Sequence, residues 1–342
     1  MIGVGIVGLG MAAKPHGLAL QDLTANRKVA VRGVFARTAS TREVFARTYD
    51  FPMKDSLAAL VQDPKIKAVL VLTPPDARRE IIAQLADAGK HILVEKPIER
   101  TTKAAQDIVE LCEAKGVQLG VVFQHRFRDA SKELARRLPD FGALYLVRVN
   151  VPWWRDQAYY DEPGRGTYDR DGGGVLISQA IHTLDLMLSV TGEVAQVQAM
   201  TATSKVHVME AEDIAVAGLR FTSGAVGTVV ATTAAFPGGA ESLAMDFEHA
   251  SIHLQSGHLT VNWHHGRIDT FGEDQKTGGG ADPMDFPFTW HRDLIADFID
   301  AVSTGRPPAI TGRAGLKVHR LIDGMIESSR QGHVITLSQE GV

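Results

Sequence analysis

"MIGVGIVGLGMAA", residues 1–13, sets the reading of the whole chain. A short run rich in Val and Ile passes directly into Gly8, Leu9 and Gly10, and a helix-like stretch, "AAKPHGLALQDL", follows. A strand that ends on closely spaced glycines just before a helix is the arrangement that cradles a dinucleotide pyrophosphate. Gly8 would allow the tight turn, Gly10 would let the backbone approach the phosphates, and Ala13 would let helix and strand pack closely. Met11 and Ala12 would lie at the helix N-terminus, where backbone N–H groups and the helix dipole favour an anion.

The next hundred residues repeat the alternation. "KVAVRGVFA" precedes "STREVFARTY", in which Ser40 suits an N-cap. "AVLVLT" precedes "DARREIIAQLADAG", "HILVEK" precedes "TTKAAQDIVELCEAKG", and "VQLGVVF" closes the series. Continuous apolar strands separated by amphipathic helices predict a parallel, doubly wound α/β sheet covered on both faces. This Rossmann domain is expected over residues 1–122, with a second domain over 123–342.

Bulk properties narrow the classes. A chain of 342 residues exceeds what one core usually serves. A formal net charge of -4 argues against a nucleic-acid partner. No apolar run nears the roughly 20 residues that span a bilayer, and the N-terminus lacks a basic n-region. The single cysteine, Cys112, cannot form an internal disulfide, so a cytoplasmic setting is the default expectation.

The end of the second strand bears on cofactor choice. An NAD site expects an acidic residue about 20 residues after the glycines. Here the run is Ala36, Arg37, Thr38, then Ser40 and Arg42. A basic, hydroxyl-rich turn suits a 2′-phosphate, so NADP is favoured over NAD. The alternative is a solvated loop whose charges serve solubility.

"HILVEKPIER", residues 91–100, breaks from a buried strand into Glu95, Lys96 and Pro97. Strand ends in such sheets are where ligands bind. With the "GLGMAA" turn, "LTPPDARREIIAQLADAGKHILVEKP", "GVVFQHRFR", "DGGGVLISQAIHTLDL" and "DFIDAVSTGRPPAITGRAGL", the chain resembles the glucose-fructose oxidoreductase/inositol dehydrogenase/MocA (Gfo/Idh/MocA) family over almost its whole length. The resemblance implies a Rossmann domain, an α+β domain on a large open sheet, a nicotinamide cofactor and a sugar or polyol substrate. It implies Lys96 as acid or base, with Pro97 fixing the chain direction through what is in the family often a cis bond. A lysine beside apolar walls and a positive nicotinamide would titrate nearer neutrality. Glu95 would contact the nicotinamide side or orient Lys96, and Thr73 and Pro74 would line the cofactor. Arg78 stands where members often carry a histidine.

The second domain offers its own candidates. After Gly172, Gly173 and Gly174, an α-helical 100° per residue puts Ser178, His182 and Asp185 on one stripe, with Gln179 at its edge. Such a polar stripe on a buried helix suits a substrate with several hydroxyls, or an internal network in which Asp185 bonds His182. The resemblance makes His182 the active-site histidine, with Ser178 where many members have Asp. Losing that charge would let the site tolerate an anionic sugar, which arginines of the 155–170 loop would then bind. That loop, "VPWWRDQAYYDEPGRGTYDRD", joins Trp153, Trp154, Tyr159 and Tyr160 to Arg155, Arg165 and Arg170. Aromatic faces stack on sugar rings, although a subunit interface would use the same residues. Trp154, Tyr160 and Arg165 are therefore substrate-binding candidates. Gln124 and Arg126, in "FQHRF", sit near the domain junction, and Gln124 is a candidate for both ligands.

Long alternating stretches then predict antiparallel strands, with "TSG" at 222–224 as a hairpin turn. In the family a partner subunit covers this open sheet, so a homodimer or homotetramer is expected. His253, His258, His264 and His265 fit no zinc spacing, and strand alternation would scatter them, so no metal is expected. The reading is an NAD(P)-dependent oxidoreductase for a secondary alcohol of a sugar, sugar derivative or cyclic polyol. A non-catalytic NAD(P)-binding regulator and an NAD-dependent glycosidase of the same fold are the competing classes.

Overall fold

In the computed structural model, described over residues 1–275, 278 and 286–337, the N-terminal run forms strand β1 (Ile2–Val7) and the helix after the glycines forms α1 (Ala13–Ala25). The chain continues through β2 (Val29–Phe35), α2 (Ala39–Tyr49), α3 (Leu57–Val61), β3 (Ala68–Val71), α4 (Arg78–Asp87), β4 (His91–Val94), α5 (Thr102–Ala114) and β5 (Leu119–Val121). The five strands make one parallel sheet in the order β2-β1-β3-β4-β5. Order reverses between β1 and β3, which opens a crevice at their C-terminal ends. Strands β3 and β4 are apolar almost without interruption because both faces are covered: Ala68 to Val71 and Ile92 to Val94 are buried.

Helix starts follow local chemistry unevenly. Ser56 and Thr101 accept hydrogen bonds from Ala59 N and Ala104 N, as N-caps do. Ser40 does not. Helix α2 begins at Ala39, its N-cap is the extended Thr38, and that cap makes no side-chain bond.

The chain divides into two compact units, Met1–Gln124 with Pro287–Leu316, and His125–Phe286 with Lys317–Val342. A single cut after residue 122 assigns everything later to the second domain, whereas residues 287–316 lie with the first. Helix α9 (Thr289–Thr304) packs against α1. Its Phe298 covers β5 so closely that a Cβ at Gly120 would come within 2.8 Å of the ring. The amphipathic pattern of α9 announces a buried face; it does not announce which sheet buries it.

The second unit is built on nine strands: β6 (Leu144–Pro152), β7 (Val194–Ala202), β8 (Ile214–Phe221), β9 (Val226–Thr232), β10 (Ser242–Phe247), β11 (Ala250–Gln255), β12 (His258–Trp263), β13 (Ile268–Phe271) and β14 (Ile335–Thr336). Their order is β13-β12-β11-β10-β6-β9-β8-β7-β14. Every neighbouring pair is antiparallel except β6 with β9. The turn at 222–224 joins β8 to β9, with Gly224 at φ 91° as the reversal requires. Helices α6 (Asp129–Arg137) and α8 (Ile181–Thr191) contact β12 and β6, α7 (Gln157–Tyr160) lies in the aromatic loop, and α10 (Gly312–Gln331) runs toward the C-terminus. No helix among the described residues is long and apolar enough to cross a membrane.

Candidate active site

The nucleotide crevice of the first unit begins at Gly8. Its φ is 93°, and a Cβ there would meet Thr73 N at 2.6 Å, so only glycine lets β1 end this close to β3. Among the described residues, nothing lies within 4 Å of where a Cβ on Gly10 would stand, leaving the backbone open to a ligand. The N-cap position of helix α1 is Ala12, whose side chain provides no cap. Met11 is exposed and Ala13 is buried. Thr73 Oγ1 is buried without a partner, and Pro74 beside it is exposed. An uncapped helix start, open space over Gly10 and an orphaned hydroxyl at the next strand end fit a bound dinucleotide.

At the end of β2, Arg42 turns back to donate to Ala36 O at 2.7 Å and lies over the Phe35 ring. Arg37 and Thr38 are exposed. No acidic side chain occupies Ala36–Ser40.

Lys96 sits half-buried just beyond β4, and the Lys96–Pro97 peptide is cis. The preceding Glu95 is buried and anchored on both oxygens. Oε1 lies 2.8 Å from His16 Nε2, and Oε2 accepts the Lys96 N–H at 3.0 Å. His291, from α9, meets the His16 ring edge-on at 4.8 Å. Burial alone would raise the Glu95 pKa, but the His16 contact, helped by nearby positive charge, outweighs it and brings it to about 2. Burial, reinforced by His16, pushes His291 down to about 3, so it is neutral at physiological pH. The three side chains carry donor types a metal would accept, with ligand atoms within 4.8 Å of one another. His16 and Glu95 are already at hydrogen-bonding distance, and Glu95 spends its other oxygen on Lys96 N, so the carboxylate is satisfied by the protein itself. The sequence pattern offered no signal for this cluster, since His16 and His291 each read as one polar residue on a buried helix face.

In the second unit, the glycine run closes on Glu212. A Cβ at Gly174 would fall 1.8 Å from Glu212 O, which only glycine avoids. The Glu212 carboxyl group accepts from Gly174 N at 3.2 Å and Leu176 N at 3.0 Å, and burial raises its pKa against those two donors. Residues Leu176–Ala180 then form a π-helical turn before α8. This wider turn breaks the 100° spacing assumed for the stripe. Gln179, expected at the edge, is buried with Oε1 unpartnered, while Ser178 is half-buried.

His182 is buried and stacks on His125, ring centroids 4.8 Å apart. Arg128 reaches His125 Nε2 at 2.6 Å, and because a guanidinium only donates, that nitrogen accepts. Arg128 also pairs with Glu241 at 2.6 Å, which accepts from Trp153 Nε1 at 3.2 Å. Asp185 does not serve His182 as the internal-network reading has it: both its oxygens receive Arg126. Burial keeps Asp185 above the ordinary carboxylate range despite that partner.

The aromatic loop is tied internally. Arg165 lies over the Tyr159 ring at 4.4 Å, donates to its hydroxyl at 2.7 Å and pairs with Glu162. Arg155 is buried and donates to the carbonyls of Trp154 and Gly278. Tyr160 bonds Thr233 at 2.7 Å, and Trp154 packs edge-on against Phe236. Gln179 Nε2 reaches Tyr159 at 3.4 Å, which joins this loop to the π-turn. Gln124, at the end of the first unit, is buried with Oε1 unpartnered.

A parallel sheet with a glycine cradle at its first crossover and a lysine at the mouth of its fourth strand defines a nucleotide-binding oxidoreductase unit. Residues 2–123 match the oxidoreductase family with NAD-binding Rossmann fold, and residues 137–280 match the GFO/IDH/MocA C-terminal domain. The chain belongs to this Gfo/Idh/MocA oxidoreductase family. It is 26% identical to myo-inositol 2-dehydrogenase of Thermotoga maritima over 91% of each chain. It is 26% identical to levoglucosan dehydrogenase of Pseudarthrobacter phenanthrenivorans, covering 68% of this chain and 67% of that one. Among solved structures, the WlbA dehydrogenase of Bordetella pertussis, in complex with NADH and UDP-GlcNAcA, superposes with a TM-score of 0.82 at 27% identity over 99% of both chains.

Proposed function

We propose that this protein is an NAD(P)-dependent dehydrogenase that interconverts a secondary alcohol and a ketone on a sugar, a sugar derivative or a cyclic polyol. The observation that carries this reading is the placement of Lys96, half-buried at the mouth of β4 with its N–H held by the anchored Glu95. A lysine fixed there is suited to take the proton from a substrate hydroxyl as the carbon gives up its hydride. The cofactor, when bound, supplies the hydride acceptor; Gly8, Gly10, Met11, Ala12, Thr73, Pro74, Glu95 and Gln124 would line it. His182 assists by holding the alcohol or sharing its proton, and Ser178, Gln179, Trp154, Tyr160 and Arg165 contribute to sugar binding. The relatives named for inositol and levoglucosan, and the neighbour bound to UDP-GlcNAcA, support a sugar-like substrate.

We favour NADP over NAD on the basis of the β2 end, where Arg37 and Thr38 are exposed and no carboxylate is present to hold free ribose hydroxyls. The proposed setting is cytoplasmic, and the proposed assembly is a homodimer or homotetramer through the nine-stranded sheet. A panel of inositols, anhydro sugars, hexoses and uronic acids, with each oxidised cofactor and followed by nicotinamide absorbance, tests the reaction. Turnover of a panel member with stoichiometric reduced cofactor is expected. Absence of turnover across the panel, with cofactor bound, would favour the regulator class instead.

A further inference from the structure

The peptide that carries Lys96 is gripped from a second side. Arg78 opens α4 and is buried. Its Nε donates to Thr73 O at 2.8 Å, and its Nη1 donates to both Glu95 O and Pro97 O. These last two carbonyls flank Lys96 in the chain. They lie beyond the end of β4, and both residues are buried, so water cannot serve these carbonyls freely and a donor is needed. Burial lowers the Arg78 pKa to about 10 against the pull of Glu95, Glu99 and Asp76, which leaves the guanidinium charged at neutral pH. With Glu95 Oε2 on the Lys96 N–H, the carbonyl before the lysine, its own N–H and the carbonyl after it all have fixed partners.

We propose that Arg78 is a positioning residue for Lys96: by donating to the carbonyls on both sides, it fixes the peptide from which the lysine side chain leaves the strand. One guanidinium also ties the ends of β3 and β4 together through Thr73. A shorter or single-headed donor cannot reach three carbonyls at once, since only the planar fork presents several N–H groups in a fixed arrangement. This inference rests on Lys96 being the acid or base of the proposed reaction, and it assigns a specific task to a residue standing where relatives often carry histidine.

The test is a four-way cycle of wild type, Lys96→Ala, Arg78→Met and the double variant, assayed on the panel sugar that turns over fastest. Amide hydrogen exchange over residues 91–100 and NAD(P) titration are measured alongside. If Arg78 acts through Lys96, Arg78→Met lowers kcat by about 100-fold, the scale of a 1 Å misplacement. Cofactor affinity stays within about threefold, and the double variant is no slower than Lys96→Ala alone. Exchange at the Lys96 amide accelerates at least about tenfold, as local opening of the peptide requires. Additive losses, or unchanged exchange with unchanged kcat, would overturn the proposal. Should Arg78→Met fail to fold, Arg78→Lys serves, with a smaller loss in kcat and the same dependence on Lys96. If Lys96→Ala keeps full activity, or no sugar turns over, the acid–base reading fails, and the exchange result decides separately whether Arg78 holds the peptide.

Discussion

Arg126 grips Asp185 with two parallel contacts, Nε to Oδ2 at 2.7 Å and Nη2 to Oδ1 at 2.5 Å. The aspartate is buried and Arg126 half-buried, and burial raises the aspartate's pKa even with that guanidinium beside it. Removing one partner of a fully buried pair costs about 3–5 kcal/mol; with one partner half-exposed and a carboxyl that takes a proton more readily, the cost here lies at the low end, about 3 kcal/mol. Arg126→Ala should therefore destabilise the second unit by that order, whereas Asp185→Asn together with Arg126→Gln should recover much of it. Denaturant midpoints of the single and double variants check this; equal losses in both would show that the charge pair is not the cause.

Lys96→Ala should abolish most turnover while leaving cofactor binding intact, because the lysine side chain leaves the strand end and the glycine cradle is built elsewhere. General acid–base groups contribute about 10² to 10⁴-fold. Steady-state kcat and a cofactor titration separate the two effects. A variant with near-wild-type kcat would end the assignment.

The buried His16–Glu95–His291 cluster makes stability depend on pH with a definite sign. His291 is held neutral in the native state down to about pH 3, whereas in the unfolded chain it takes a proton near its ordinary value of about 6.5. Between those limits the unfolded state binds more protons, so stability falls as pH drops. Glu95, pulled to about 2, adds to the same trend below its ordinary value, because its native contribution is lost only as pH falls toward 2. The slope from one group is about 1.4 kcal/mol per pH unit in its steep range. His291→Leu should flatten the urea midpoint between about pH 6.5 and 4.5 and leave the lower part to Glu95. An unchanged slope in that upper window would contradict the assignment.

What could be read from the chain alone followed from periodicity and from glycine chemistry. The apolar runs became β1 to β5 in one parallel sheet, and Gly8 took the positive φ that its turn demands. The partners were not legible, because they join distant segments: His16 to Glu95 is 79 residues apart, and Arg128 to Glu241 is 113. The π-helical turn at Leu176–Ala180 was not legible for a different reason: its apolar pattern is close to that of an α-helix.

Cofactor preference should follow the β2 end. With Arg37 exposed beside Thr38 and no carboxylate in the turn, NADP should bind more tightly than NAD. Arg37→Ala should weaken NADP and leave NAD nearly unchanged. Titrations of both cofactors decide, and tighter NAD binding by the wild type would make the loop a solvated one.

The outer face of the nine-stranded sheet carries an apolar row that a second copy should cover. Met200 on β7 pairs with Val216 on β8, which pairs with Val230 on β9, and all three are exposed, Met200 by 72%. Strand alternation explains the row, since the neighbouring positions on each strand point into the core. Adjacent exposed apolar residues on three strands mark an interaction surface, and a two-fold copy presents the same row to itself. Wild-type protein should elute with a light-scattering mass of two or four chains of 37.0 kDa. Val216→Glu puts a charge at the centre of that row, where a covering copy would bury it without a partner. It should therefore shift the mass toward one chain while leaving far-ultraviolet circular dichroism unchanged. A wild type that runs as a single chain at micromolar concentration would refute the assembly.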